Sequence, residues 1–191
     1  MRPLDSLHTA LNQWVSLTDD EWSLVSAIFR PHSVPAHTNV ARPGDTDHHI
    51  IFTVSGLLRF YYIDMDGKEI NKAFIRENQF AGSVAAATLN LPLYYGIEAL
   101  EPTKFLRAEF GRFQELYTQS HKFEVIGRKF AERLLARKEL RTRSLLMKTA
   151  TERYRDFLGE DGDLAKRIPQ YHIASYLGIT DVSLSRLKRT M

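Results

Sequence analysis

A cluster of polar and basic residues near the C-terminal end could form hydrogen bonds to nucleic acid. It lies between Thr180 and Arg189, where Val182, Leu184 and Leu187 are the interspersed apolar residues. This spacing predicts a short helix with one buried side and one polar side. We predict that the polar side, together with Gln170 upstream, contacts double-stranded DNA. The predicted DNA-binding residues are Gln170, Thr180, Asp181, Ser183, Ser185, Arg186, Lys188 and Arg189.

The side chains of this polar side suit different parts of a DNA duplex. Arg186 suits bidentate hydrogen bonds with guanine O6 and N7, whereas Lys188 and Arg189 suit phosphates. Phosphate repels Asp181, so that carboxylate must accept from a cytosine amino group, act as a first-turn charge on the helix dipole, or point away. The whole set favours DNA binding over an ordinary helical hairpin with a polar face.

The residues just upstream predict a helix and a turn that hold this polar side in place. Ile173, Ala174 and Leu177 indicate the buried side of a helix that stops at Gly178. The glycine permits a tight turn, and the Thr180 hydroxyl can cap the next helix. Helix, glycine turn and helix in this order predict a helix-turn-helix within a DNA-binding domain over residues 144–191.

Charge is unevenly distributed along the chain. The sequence has 26 lysines and arginines against 23 acidic residues, a formal charge of only +3. Residues 128–191 hold fifteen basic and eight acidic residues, whereas residues 1–127 hold eleven and fifteen. A basic C-terminal half fits a phosphate-bearing partner, although a solvated helical surface has the same composition.

Composition excludes several classes of protein. The 191 residues are 43% hydrophobic, which is enough to build a core, and none is cysteine. Disulfides, thiolate metal sites, iron–sulfur clusters and thiol redox sensing are therefore excluded. We find no signal-peptide pattern and no run of about 18 apolar residues, so we expect a cytoplasmic protein with no membrane partner.

The middle of the chain has the pattern of a compact all-β unit. Short apolar runs alternate with turn signals about every ten residues, with Gly44, Gly56 and Gly67 in the turns. We predict a small β-barrel or jelly roll, preceded by two short helices, the second opened by a capping box of Thr18 and Glu21. The predicted strands are 33–36, 38–41, 49–54, 57–63, 69–75 and 99–108.

Beyond residue 120 the apolar period becomes helical. Phe123, Ile126, Phe130 and Leu134 predict one long helix over 120–143, between a β-domain at 1–119 and the C-terminal domain. This apolar stripe is longer than a small barrel can readily cover, so we predict a homodimer formed through these four residues. Packing of the helix on its own barrel remains the alternative. A further helix is predicted over 145–158.

Several motifs resemble those of Crp/Fnr-type regulators. They are the turn Pro43-Gly44-Asp45, the run from Ile50 to Gly56, the hairpin Asp66-Gly67-Lys68-Glu69 and the helix–glycine–helix segment. The resemblance implies an α+β fold: an N-terminal double-stranded β-helix (jelly roll) of cyclic-nucleotide-binding type, a long dimerisation helix and a C-terminal helix-turn-helix. It implies transcription regulation, with RNA polymerase as a further partner. The family usually continues into two short strands, which would add DNA-backbone contacts, whereas this sequence stops at Met191.

Departures from the family pattern bear on the effector. In members that bind cyclic AMP, an arginine holds the phosphate and a glutamate after Phe-x-Gly holds the ribose. Here Ser83 follows Gly82, and Leu93 stands where the resemblance places the arginine. The lost charge-assisted hydrogen bond is worth about 1.5–3 kcal/mol, so we predict no useful affinity for cyclic AMP. Either a more apolar or aromatic small molecule or a collapsed, ligand-free core is expected among Phe80, Gly82, Ser83, Leu93, Tyr94 and Tyr95.

Two other classes of function remain as alternatives. A cupin-like metal-binding protein or enzyme could use histidines on the same kind of barrel, but His48 and His49 are adjacent and point to opposite faces of a strand. His32 and His37 lie on nearby segments. The second alternative is a dimeric interaction module that does not touch DNA. We find no nucleophile–base pair or phosphate loop and expect neither catalysis nor a cofactor.

Overall fold

The computed structural model describes residues 2–190, apart from the side chain of Asp161. Over that range the chain forms eight α-helices and eight β-strands. The helices are α1 (Pro3–Asn12), α2 (Asp19–Ile28), α3 (Val84–Leu89), α4 (Phe110–Glu115), α5 (His121–Met147), α6 (Ala150–Asp161), α7 (Gln170–Leu177) and α8 (Asp181–Thr190). The strands are β1 (Arg30–Val34), β2 (Asn39–Ala41), β3 (His49–Ser55), β4 (Leu58–Ile63), β5 (Glu69–Ile75), β6 (Phe80–Ala81), β7 (Gly96–Ala99) and β8 (Thr103–Glu109).

The chain divides into two compact units. The first holds the chain up to Phe60 together with Phe74–Arg133, and the second holds Tyr61–Ala73 together with the chain from Leu134 onward. The division therefore falls inside α5, and it places the tip of the β4–β5 hairpin with the C-terminal helices. These limits differ from the domain limits at 119/120 and 143/144 that the sequence suggests.

Two four-stranded sheets build the β-roll that the sequence predicts. Their strand orders are β1-β8-β3-β6 and β2-β7-β4-β5. Strand β8 is antiparallel to both β1 and β3, with Phe105 opposite His32 and Arg107 opposite Ile51. Residues that face each other across an antiparallel pair project on the same side of the sheet. The side chains of Arg107 and Ile51 therefore share one face.

Some predicted strands are wrong in their bounds. The single strand expected over 99–108 is two strands, because Leu100, Glu101 and Pro102 form a bend between β7 and β8. Proline cannot donate to a strand ladder, which explains the interruption. The strand expected over 33–36 is β1, at Arg30–Val34. Strand β6 and helix α3 were not expected at all.

Helix α5 is longer than expected, and its first half packs on its own unit. Phe123, Ile126 and Phe130 are buried in the single chain. The helix continues to Met147, so the helix expected over 145–158 begins instead at Ala150. A capping box by Thr149 opens that helix, which separates it from the end of α5.

The capping box at the start of α2 is present and extends to α5. The Thr18 hydroxyl accepts from the Glu21 amide, and the Thr18 amide donates to Glu21 Oε2 at 2.8 Å. Glu21 also accepts from Lys122 Nζ and Ser120 Oγ, both at 2.8 Å. The Lys122 ammonium, the Thr18 amide and the Ser120 hydroxyl lower the pKa of Glu21 from its usual 4.5 to about 2.

We expect Glu21→Gln to destabilise the protein in a pH-dependent way. A pKa that is depressed in the folded state contributes stability above the unfolded pKa, and that stability is lost as the pH falls through the folded pKa. The variant should melt below the wild type at pH 7, and the difference should shrink between about pH 5 and about pH 2. Thermal denaturation across this range tests it, with the exposed Glu115→Gln as control. A difference that does not change with pH would contradict the assignment.

Candidate nucleic-acid interface and ligand cavity

The turn between α7 and α8 is held by backbone hydrogen bonds that require a left-handed residue. Gly178 has a φ of +69°, and its amide donates to Ser175 O at 3.1 Å. The Ile179 amide donates to Ala174 O at 3.0 Å, and Ala174 is fully buried at the helix crossing. This is the glycine C-cap expected from the sequence, and it fixes the direction in which α8 leaves α7.

Two arginines hold the C-terminal end of α7. Arg153 Nε donates to Leu177 O at 2.9 Å, and Arg141 donates to Tyr176 O while its guanidinium lies 3.9 Å from the centre of the Tyr176 ring. Cations at a helix C-terminus satisfy free carbonyls and oppose the helix dipole. Arg141 and Arg153 are thus structural, and part of the basic character of the C-terminal half is used inside the unit.

Helix α8 is anchored by fewer apolar residues than the sequence suggests. The Thr180 hydroxyl caps the helix, accepting from the Ser183 amide at 3.2 Å. Leu184 is the buried anchor at 1% exposure, and Leu187 is half-buried. Val182 was expected beside them, but it is 61% exposed because it projects from the opposite side of the first turn. Ser183, half-buried and within 2.9 Å of the Thr180 hydroxyl, belongs partly to the cap.

The remaining predicted residues of α8 form an exposed face. Asp181 lies in the first turn, where a carboxylate favours the helix dipole. Arg186, Lys188 and Arg189 are exposed, and within residues 2–190 their side chains make no ion pair or hydrogen bond. Ser185 and Thr180 are also exposed, as is Gln170 at the start of α7. The face thus presents uncompensated positive charge beside hydroxyl and amide groups, which suits a DNA groove and its phosphates.

The β4–β5 hairpin contributes a buried contact to the second unit that the sequence analysis missed. The Asn71 amide group donates to His172 O at 3.1 Å and lies 3.0 Å from His172 Nδ1. The Asn71 backbone amide donates to Ser175 Oγ at 2.9 Å. Both partners lie on α7, so the hairpin tip holds that helix by side-chain hydrogen bonds. No local sequence signal marks a contact across about one hundred residues.

The first unit contains a small cavity inside the roll. Its volume is about 20 Å³, room for roughly one water molecule. Gly82, Ser83, Leu93 and Tyr95 of the predicted effector pocket line it. A β-carbon on Gly82 would lie 2.8 Å from His49 O, so only glycine fits there. The Ser83 hydroxyl accepts from the Ala86 amide at 3.2 Å and caps α3.

Phe80 and Tyr94, also predicted for the pocket, do not line the cavity. Phe80 packs in an aromatic cluster, with ring centroids 5.1 Å from Trp14, 4.8 Å from Phe52 and 6.2 Å from Phe130. Tyr94 is 61% exposed. Leu93 and Tyr95, on either side of Tyr94, line the cavity, but the Phe80 and Tyr94 rings do not.

Three polar residues that the sequence analysis did not assign line the same cavity: Asp47, His49 and Arg107. Burial, followed by the charge of Arg107, lowers the pKa of His49, whereas Asp47 and Glu109 act in the opposite direction. Burial and Arg107 also lower the pKa of His32. The cavity is therefore more polar than the apolar or aromatic pocket expected. In the sequence, only the alternation of residues along β8 could have indicated that Arg107 lies on an inward-facing side of the strand.

The four residues predicted for the dimer seam have a different environment from the one expected. Phe123, Ile126 and Phe130 are covered by the first unit, and Leu134 is half-buried. The exposed apolar residues of α5 lie further along the helix: Leu135, Leu140, Leu145, Leu146 and Met147. Three of the four predicted seam residues are thus covered within the single chain.

The histidines considered for a metal site have separate neighbours. His48 Nε2 lies 2.8 Å from Leu91 O, His32 stacks on Phe105, and His37 Nδ1 lies 3.7 Å from Glu98 Oε1. Among residues 2–190, no three His, Cys, Asp or Glu side chains are grouped so that they could hold a metal ion. Over the same residues, no helix combines the length and apolar character needed to cross a bilayer.

Comparison with known proteins supports this description of the fold. Residues 31–120 match the family model of the cyclic nucleotide-binding domain. An 84-residue stretch is 34% identical to patatin-like phospholipase domain-containing protein 7 of Rattus norvegicus; it covers 44% of this chain and 6% of that protein, so the chain spans only a small part of this relative.

Solved structures match over much more of the chain. FixK2 from Bradyrhizobium japonicum has a TM-score of 0.76 at 19% identity, covering 85% of this chain and 84% of its own. A protein from Eubacterium rectale assigned to the Crp/Fnr family has a TM-score of 0.74 at 17% identity, covering 95% and 87%. Residues 31–120 are therefore similar to a cyclic nucleotide-binding domain, and the chain has the fold of the Crp/Fnr-type regulators.

Proposed function

We propose that this protein is a sequence-specific DNA-binding transcription regulator of the Crp/Fnr type. The observation that carries the proposal is the exposed face of α8, where Arg186, Lys188 and Arg189 have no acidic partner within the described chain. Uncompensated cations on one helix attract a polyanion, and a single helix fits the major groove of B-DNA. The cap at Thr180 and the buried Leu184 present this face on a fixed helix.

The residues of α8 divide into groups that read bases and groups that hold the backbone. Arg186 is suited to guanine, and the exposed methyl groups of Val182 could contact a thymine methyl. Lys188 and Arg189, in the last turn, are suited to phosphates. Gln170 lies at the start of the preceding helix, the position from which a helix-turn-helix touches the backbone.

A homodimer completes the proposal. Leu135 and Leu146 are exposed and lie on the same side of the second half of α5, and this is the surface that we assign to the partner copy. Two copies related by a two-fold axis would present two copies of α8 to half-sites about 10 base pairs apart. Selection of bound sequences from random DNA at a stated salt concentration tests this arrangement. Failure to enrich any sequence would contradict the proposal.

Arg186→Ala should weaken binding to the selected operator by about 1–3 kcal/mol and relax specificity at one base pair. Lys188→Ala should instead weaken binding to all sequences and reduce the slope of log K against log salt by about 1. Fluorescence anisotropy at several salt concentrations measures both effects. The control is Arg112→Ala, an exposed arginine on α4 in the other unit. Equal affinities for all four proteins would favour an interaction module that does not touch DNA.

We also propose that the roll does not take cyclic AMP. A cavity of about 20 Å³ is far smaller than the several hundred Å³ typical of ligand sites. Leu93, rather than a cation, lines it at the place where the resemblance puts the phosphate-binding arginine.

A further inference from the structure

The cavity of the roll contains a positive charge, that of Arg107, with no partner among the described residues. Arg107 projects from β8 into the cavity on the same face as Ile51, which lies opposite it on β3. The residue is half-buried, and its guanidinium makes no ion pair or hydrogen bond to any group in residues 2–190. Removing a charge from water without pairing it is costly, so such a site favours a counter-ion.

The other polar groups around Arg107 are arranged so that the positive charge is not cancelled. His49 lines the cavity beside it, and His32 lies close enough for the Arg107 charge to act on it. Asp47 is the acidic residue in the lining, but it forms no ion pair with Arg107. Glu109, at the end of β8, raises the pKa of His49 through its negative charge. The guanidinium therefore keeps its planar set of donors available to an entering ligand.

We propose that this cavity binds a small oxyanion, the carboxylate of a small molecule or an inorganic oxyanion, with Arg107 as its main contact and His49 as a second. A guanidinium donates two parallel hydrogen bonds to two oxygens of such a group. The enclosed volume has room for about one water-sized group, which is one oxygen of such an anion and far less than a nucleotide. The half-buried Arg107 guanidinium would hold the remaining oxygens outside that volume. This inference deepens the proposed function, because it assigns a class of effector to the roll of the regulator.

The site shares Gly82, Ser83, Leu93 and Tyr95 with the pocket expected from the sequence, but its chemistry differs because Arg107 also lines it. Arg107 comes from the sheet β1-β8-β3-β6, whereas Leu93 and Tyr95 lie in the connection to β7. An apolar or aromatic ligand would leave the Arg107 charge uncompensated, whereas an anion would neutralise it. The assigned ligand class therefore follows from the one cation in the cavity lining, as described over residues 2–190.

The test measures anion binding to the full chain in the absence of DNA. The melting temperature of the protein is measured at increasing concentrations of acetate, nitrate or inorganic phosphate, with chloride at matched ionic strength as the reference. We expect at least one of the three to stabilise the wild type. Arg107→Gln should bind that anion at least about tenfold more weakly, because it loses the charged, bidentate contact. Arg112→Gln, the same change at an exposed arginine, should behave as the wild type.

Two further variants make the result decisive. Asp47→Asn removes the acidic group from the lining and should tighten anion binding. If Arg107→Gln does not fold, Arg107→Lys, which keeps the charge and loses the planar donors, should show weaker binding than the wild type. The inference is overturned if none of the three anions stabilises the wild type, or if the Arg107 variant that folds binds as the wild type does.

Cyclic AMP is titrated in parallel, and no stabilisation is expected; a shift larger than that of all three anions would overturn the assignment of a small oxyanion. Acetate alone would indicate a carboxylate, and nitrate or phosphate alone would indicate an inorganic ion. Because DNA is absent, failure of this test leaves the proposed DNA binding unaffected, and failure of operator selection leaves the anion site unaffected.

Discussion

Replacing Arg59 by alanine is expected to lower the free energy of unfolding by about 3–5 kcal/mol. Arg59 lies on β4 and is only 4% exposed, and its guanidinium donates to the Glu98 carboxylate on the neighbouring strand β7. After removal of the guanidinium, Glu98 would keep the His37 ring, whose Nδ1 lies 3.7 Å from Glu98 Oε1, as a neighbour. Leaving a buried carboxylate without its cation costs more free energy of unfolding than the intact ion pair contributes to stability.

The double variant Arg59→Met with Glu98→Leu separates the two contributions. It removes both charges and fills similar volume with apolar groups, so it should cost much less than Arg59→Ala and could be neutral. Urea denaturation of the wild type, the single variant and the double variant measures the free energies. A single variant within 1 kcal/mol of the wild type would show that the pair is not a buried, desolvated one.

The β-roll was predictable where the signals were local. Strand β5 has the expected bounds, Glu69–Ile75, because alternating residues follow a turn with Gly67 at positive φ. The pair of Arg59 and Glu98 was not predictable, because the two residues are 39 apart in sequence and meet only through the sheet. Helix α3 and strand β6, of six and two residues, are too short to show a period.

The two candidate sites differ in how well the sequence described them. The α7–α8 segment depends on neighbours in sequence: Gly178 forms the turn and Thr180 caps the helix. The cavity depends on β3, β8 and the segment before β7, which are far apart in the chain. Alternation along β8 shows which side chains share a face with Arg107, but it does not show that this face lines a cavity.

Helix α5 illustrates a different limit of sequence analysis. Its apolar period was identified correctly, and Phe123, Ile126 and Phe130 do lie on one side. Periodicity identifies a side that must be covered but carries no information about the covering group. In the structure that group is the chain's own first unit, where Phe130 meets Phe80. The surface that we propose for the partner copy is therefore displaced toward Leu135 and Leu146.

Leu184→Ala is expected to have the largest effect on DNA binding, although Leu184 would not touch DNA. It is the buried anchor of α8, at 1% exposure, and truncation of a buried leucine costs about 2–5 kcal/mol. Because α8 makes few other buried contacts, the loss should open the α7–α8 pair first. Affinity for the operator should fall in proportion to the fraction of molecules that keep the pair closed.

Val182→Ala is the matched control, since it truncates an apolar side chain on the same helix that is 61% exposed. It should leave stability within about 0.5 kcal/mol of the wild type, because alanine favours a helix and no buried contact is lost. Amide hydrogen exchange over residues 170–190 and operator binding distinguish the two variants. Leu184→Ala should lose protection and affinity together, whereas Val182→Ala should keep protection and lose preference at a thymine only. Equal protection in both variants would show that α8 is held by contacts other than Leu184.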